Sequence, residues 1–175
     1  MAHDGRTRDE LYEEAAASCS GALARLARAY EPDPDKRRDL LQEIHVALWL
    51  SLQDFEGRCS LSTWVYRVAH NTATSMVTRR KAKAPTLVGL EDVHESLQED
   101  GHHTVGHRDD LRHLWELIYR LKPHDKQIIL LYLEGVDAAS IGEITGFSPG
   151  NVATKIHRIK NLLSHQFHQG HHRGQ

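Results

Sequence analysis

Five side chains in one short stretch, Asn151 to Leu163 (NVATKIHRIKNLL), could make contacts with a nucleic acid. On a helical wheel of about 100° per residue, Ile156, Ile159 and Leu163 fall within about 40° of Val152. They form one narrow apolar face suited to packing on a neighbour. Thr154, His157, Arg158 and Asn161 fall on the opposite side, and Lys155 and Lys160 flank the boundary. Lys155 and Arg158 could hold phosphates or bond guanine edges, while Thr154, His157 and Asn161 could reach base edges. Ser148 is a good N-cap, and Pro149 stands at the favoured first helical position. The free N–H groups and dipole of that first turn attract anions. Taken alone, the pattern also fits an ordinary amphipathic helix with a solvated face.

A second group lies far upstream, in STWVYRVAHNTATSM. As a helix over 62–81, this segment places Val65, Val68, Thr72 and Met76 on one side, as core. Trp64, Arg67, Asn71, Ser75 and Thr78 share a different side within about 80° of arc. Arg79, Arg80, Lys81 and Lys83 follow. An aromatic that stacks on bases, with cations nearby for phosphates, suits single-stranded nucleic acid. The same residues also fit a core tryptophan followed by a solvated basic helix end, favoured there by the dipole.

Other chemistries find little support. No Ser/His/Asp or Cys/His constellation, phosphate-cradling glycine loop or paired carboxylates stand out, so the expected mechanism is binding rather than catalysis, with no cofactor. The two cysteines, Cys19 and Cys59, have no ligand spacing. Fourteen histidines are many, with groups at His102/His103/His107 and His165/His168/His171/His172. His165 and His168 have a chelating spacing on a helix, but the groups lack cysteine partners, and no metal site is expected. No apolar run is long enough to span a membrane and no signal peptide opens the chain, so a cytoplasmic protein without membrane insertion is expected.

These two groups must be held by helices. Apolar residues make up 39 % of the chain and aromatics only 6 %, which favours an aliphatic, alanine-rich helical core. Net charge is −2, but it is uneven: residues 81–110 hold three Lys/Arg against seven Asp/Glu, and residues 111–175 hold eight against five. Asp9 to Tyr30 reads as one helix, with Tyr12, Ala15, Cys19, Ala22, Leu23, Leu26 and Tyr30 recurring at helical steps. Pro32 and Pro34 break it, and a second helix runs from about Lys36 to Asp54 on a stripe of Leu41, Ile44, Leu48 and Leu52. Gly57 breaks the chain before the tryptophan helix. Residues 83–108 lack periodicity and read as an acidic, flexible linker. Helices are then expected at 109–121 and from Pro123 to Leu133, then over 138–145 with Asp137 as N-cap, and from Ser148 to about Phe167. The short helix, the turn at Gly146 and the longer helix make a helix-turn-helix, whose second helix enters a DNA major groove. The expected fold is all-α: two small helical domains, 9–82 and 109–168, joined by the linker.

Both ends together resemble the sigma-70 family of bacterial RNA polymerase sigma factors, in its small extracytoplasmic-function (ECF) class. DLLQE, the LW beyond it, F-G and STWVYRVAHN resemble region 2; LYLEG, IGEITG, SPGNV and IHRIK resemble region 4. The resemblance implies that the chain directs core polymerase to promoters. Asp39, Leu40, Gln42 and Glu43 would dock on the β′ clamp helices, with the β flap as a second polymerase contact. The loop Phe55–Leu61, including Arg58, would capture a flipped base of the −10 element. Trp64, Arg67 and Asn71 would meet the melting −10 DNA, with Arg79 and Arg80 beside them. Ala153 to Arg158, that is Ala153, Thr154, Lys155, His157 and Arg158, together with Asn161, would read the −35 element. An anti-sigma factor is a possible further partner, and the acidic linker would thread a basic polymerase channel.

This sequence departs from the family at Ala153, usually basic, at Lys155, usually Arg, and at His70, commonly basic. Lys155 lacks the planar two-pronged reach of Arg. Two rival functions stay open on sequence: a stand-alone helix-turn-helix regulator, which leaves the first half unexplained, and a histidine-rich metal-responsive protein.

Overall fold

The computed structural model describes residues 5–83 and 105–171. Most of the expected linker, with His102 and His103, and His172 in the tail lie outside the described residues. Among the described residues there are seven α-helices, one 3₁₀ turn and no strand, in two compact units.

In the first unit, α1 (Arg8–Tyr30) opens with a reciprocal cap. The Glu10 N–H donates to the Thr7 hydroxyl at 3.2 Å, and the Thr7 N–H donates to the Glu10 carboxylate at 2.6 Å. Helix α2 (Pro34–Ser51) starts two residues earlier than expected. Pro34 is its first residue rather than a breaker, because a first-turn position has no intrahelical N–H bond to lose. The Asp33 carboxylate accepts from the Asp35 and Lys36 N–H groups at 2.9 and 3.2 Å, completing that cap. A 3₁₀ turn, Leu52–Asp54, ends α2. Helix α3 (Leu61–Lys83) follows, with the Ser60 hydroxyl accepting from the Thr63 N–H at 3.1 Å.

The three helices pack mutually. The α1 stripe is buried as expected, except that Tyr12 is only half-buried. On α2 Ile44, Leu48 and Leu52 are buried as expected, but the stripe opens at Leu40 rather than at Leu41, which lies half-buried at its edge. On α3 the buried line is Val65, Ala69 and Ala73, while Val68, Thr72 and Met76 are half-buried. Alanines let α3 lie close against both partners, which larger side chains would prevent. His70 is also buried, its Nδ1 3.2 Å from the Tyr30 hydroxyl. Burial pushes His70 down to about 3 and Tyr30 up to about 12, so both are neutral in the folded unit. His70 is thus an interior residue and not a basic surface one.

In the second unit, α4 (Val105–Tyr119) begins earlier than expected, and α5 (Pro123–Leu133) follows a short turn. The buried Lys126 donates to the Tyr119 carbonyl at 2.8 Å, satisfying the end of α4. Asp137 caps α6 (Ala138–Thr145), accepting from the Ala139 and Ser140 N–H groups at 2.9 and 3.0 Å. Those hydrogen bonds hold its carboxyl below the usual range. Helix α7 (Pro149–His171) packs on α4, α5 and α6, and runs further than Phe167. Its buried residues are Val152, Ile159 and Leu163, with Ile156 half-buried. Each such aliphatic side chain contributes about 1.5–3 kcal/mol by leaving water.

Candidate nucleic-acid interface

The angle between α6 and α7 is set by glycine. Gly146 ends α6 in the left-handed region at φ +80°, and its N–H donates to the Gly142 carbonyl at 2.8 Å. Gly142 is buried where a Cβ would stand 2.6 Å from the Phe147 carbonyl oxygen. Any larger residue there would push the turn outward and tilt α7. The Ser148 hydroxyl faces the Asn151 N–H at 3.4 Å, a long cap, and the Ser148 carbonyl accepts from the Val152 N–H at 2.9 Å.

On the outer face of α7, Ala153, Thr154, His157 and Asn161 are exposed. The Thr154 hydroxyl donates to the Gly150 carbonyl at 3.0 Å, and the Asn161 amide lies 3.1 Å from His157 Nδ1. Ala153 lines a groove of about 550 Å³ with Tyr132, Ala138, His157, Lys160 and Asn161. The two expected phosphate or guanine contacts are placed differently. Lys155 Nζ is 3.6 Å from Asp125 of α5 and 4.9 Å from the Phe147 ring centre. Arg158 Nη2 is 2.8 and 3.0 Å from the two Asp125 oxygens. Both cations therefore lean toward α5, and the stripe Ala153, Thr154, His157 and Asn161 holds no Lys or Arg.

The face of α3 is less open than its sequence suggests. Phe55 is 6 % exposed and packs with Leu11 and Leu52, its ring 5.4 Å from that of Trp64. The Phe55 ring, expected to contact a base, packs here as an anchor under the loop. Trp64 is half-buried on the same cluster, and its indole N–H donates to the Ser51 hydroxyl at 3.0 Å. Arg67 is half-buried and Asn71 is exposed one turn further along. Arg58, exposed on the loop, pairs with Glu56 at 2.8 Å. Arg79 is exposed and donates to the Ser75 carbonyl at 3.3 Å. Arg80 pairs with Glu31 at 2.6 Å, tying the end of α3 to the α1–α2 corner.

On α2, Asp39, Gln42 and Glu43 face solvent. Leu40, expected among the docking residues, is 1 % exposed and lies in the core. Three residues missed in the sequence continue the outward face, Val46 at 56 %, Trp49 at 36 % and Leu50 at 49 % exposure. Their three- and four-residue steps from Gln42 and Glu43 would have revealed them. Trp49 is held in place by α1: its indole N–H donates to Asp9 at 3.1 Å, and the Arg8 guanidinium lies 3.3 Å from its ring centre. Among the described residues no helix is long and apolar enough to cross a membrane, and no three His, Cys, Asp or Glu gather as metal ligands would.

Two family models match the chain, Sigma-70 region 2 over residues 16–83 and Sigma-70, region 4 over residues 111–163. The ECF RNA polymerase sigma-E factor of Haemophilus influenzae is 29 % identical over 145 residues, covering 73 % of this chain and 72 % of that protein. The ECF RNA polymerase sigma factor SigX of Bacillus subtilis is 24 % identical over 140 residues, covering 76 % of this chain and 72 % of that one. The fold matches that of CnrH in its complex with the cytosolic domain of CnrY, with a TM-score of 0.67 at 20 % identity over 95 % of this chain and 92 % of that chain. It also matches the sigma factor RpoE in complex with the anti-sigma factor NepR from Bartonella quintana, at 0.71 and 18 % identity over 88 % and 94 %. With both of its helical units matched in order by sigma-70 regions, the chain belongs to the sigma-70 family, among its ECF factors.

Proposed function

We propose that this sigma factor directs core RNA polymerase to promoters through three surfaces, each on a separate helix. Helix α7 reads the −35 element with Thr154, His157 and Asn161 at base edges, Ala153 beside them, and Lys155 and Arg158 flanking them, paired with Asp125. Helix α3 meets the −10 DNA with Arg67, Asn71 and Arg79, joined by Arg58 from the loop. Phe55, Trp64 and Arg80 support that surface by packing and pairing rather than by open contact. Helix α2 docks on the β′ clamp helices with Asp39, Gln42 and Glu43, and its apolar continuation Val46, Trp49 and Leu50 adds the desolvated part of the contact. The unit of residues 109–168 also takes the β flap, and that of 9–82 the remaining polymerase contacts. The chain acts by binding, in the cytoplasm, and without a cofactor or membrane insertion.

The observation that carries this reading is the outward face of α2, charged at one end and apolar at the other. A stand-alone helix-turn-helix regulator needs no such surface. An anti-sigma factor is proposed as a further partner, since the solved neighbour RpoE is in complex with one. The test adds the purified chain to core polymerase and maps initiation across genomic promoters. Initiation at a defined promoter set is expected, and replacing Val46 and Leu50 by Asp should abolish it while circular dichroism stays helical. No stimulation at any promoter would sink the proposal.

A further inference from the structure

We infer that Asp125 withholds two of the three Lys and Arg side chains of α7, Lys155 and Arg158, from DNA, and so makes the −35 contact depend more on bases than on phosphates. This rests on the proposed −35 role of α7. Asp125 is the third residue of α5, where the dipole of the helix start favours a carboxylate. Its side chain is 14 % exposed, while that of Arg158 is 63 % exposed. The carboxylate is thus fixed and the guanidinium is the movable partner. Lys155 shares the same carboxylate and lies near the Phe147 ring. That ring also meets His124 edge-on at 5.8 Å, so the start of α5 and the helix turn are packed together. The carboxylate is built into the hinge of the motif, and its position is not a chance of surface rotamers.

The consequence follows from how phosphates bind. Each cation that neutralises a phosphate releases a counterion and steepens the salt dependence of binding. A cation already paired with Asp125 has to leave it first, and an unpaired Asp125 beside DNA repels the backbone. The stripe Thr154, His157 and Asn161 holds no Lys or Arg and carries no such cost. Asp125 is therefore a positioning residue that lowers affinity for arbitrary DNA and raises discrimination, although it lies on another helix from the reading face.

The test measures binding of the full-length chain to short duplexes carrying either the −35 element or a scrambled one, across about 50–200 mM salt. Asp125→Asn is expected to bind the scrambled duplex about tenfold and the −35 duplex about threefold more tightly, to steepen the salt slope by about one to two, and so to lower the ratio of specific to scrambled binding. Equal affinity and slope, or weaker binding, would overturn the inference; weaker binding would mean that Asp125 aims Arg158 at DNA. A second pair of variants guards against a folding defect in Asp125→Asn. Lys155→Gln with Arg158→Gln should change the slope little when Asp125 is present. Loss of about two units of slope in that background would show that the cations were never withheld. Promoter initiation by the unaltered chain with core polymerase is measured in parallel. Its absence removes the −35 reading itself, whereas initiation with an unchanged slope in Asp125→Asn removes only the role of Asp125.

Discussion

The two units expose the residues proposed to face DNA in different ways. On α3, the candidate contacts are woven into the interior: Phe55 and Trp64 complete a core cluster, and Arg80 closes an ion pair with Glu31. On α7, the packing line Val152, Ile159 and Leu163 is separate from the stripe Ala153, Thr154, His157 and Asn161. A surface that is also core cannot change its sequence preference without changing its stability. A surface carried on one face of a helix, with its angle fixed by Gly142 and Gly146, can change freely. The first unit therefore suits a constant task, and the second suits a variable one.

The largest expected effect tests the first half of that contrast. Phe55→Ala should destabilise the first unit by about 3–5 kcal/mol, the range for removing a buried aromatic. Urea unfolding followed by tryptophan fluorescence would measure it, since Trp64 touches the ring. If Phe55→Ala kept full stability and lost only promoter opening, the ring would be a contact rather than an anchor, and the two units would be alike.

Acid should separate the units next. His70 is neutral in the folded unit because burial lowers its pKa from 6.5 to about 3. The unfolded chain takes up that proton below about pH 6.5 and the folded unit does not. Stability from this residue is complete above about pH 6.5 and falls by about 1.4 kcal/mol for each unit below it, toward pH 3. The lowered carboxyls of Asp33 and Asp137 act only further down, below the usual carboxylate range. Thermal melts between about pH 6.5 and 5 should thus show a slope that His70→Gln flattens. A slope unchanged by that substitution would move the acid sensitivity to another histidine.

Much of this organisation was legible in sequence, and its errors have physical causes. The stripe of α1 and the order of turn, short helix and capped helix could be read because period and capping residues agree. The first residue of the α2 stripe could not, since Leu40 and Leu41 are adjacent leucines and either can open it. On α3 the larger side chains drew the wheel toward Val68 and Met76, whereas close approach chose Ala69 and Ala73. Pro34 looked like a breaker because a proline that ends one helix and one that starts another differ only in context. The pairing of Asp125 with Arg158 joins residues 33 positions apart, beyond the reach of any local pattern.

The smallest effect on stability is the sharpest test of the second unit. Ala153 is exposed at the edge of a groove of about 550 Å³, so Ala153→Arg adds a side chain without displacing one. Stability should change by no more than about 0.5 kcal/mol. Unlike the Lys155 ammonium and the Arg158 guanidinium, which pair with Asp125, the new guanidinium stands at the groove edge and can bond a guanine. Selection of promoters from a randomised −35 library should then shift at one base position, with discrimination of about 1–3 kcal/mol there. The first unit should keep its −10 preference unchanged in the same selection. An unaltered −35 preference would mean that position 153 does not face the bases, and that α7 enters the groove rotated away from the stripe Ala153, Thr154, His157 and Asn161.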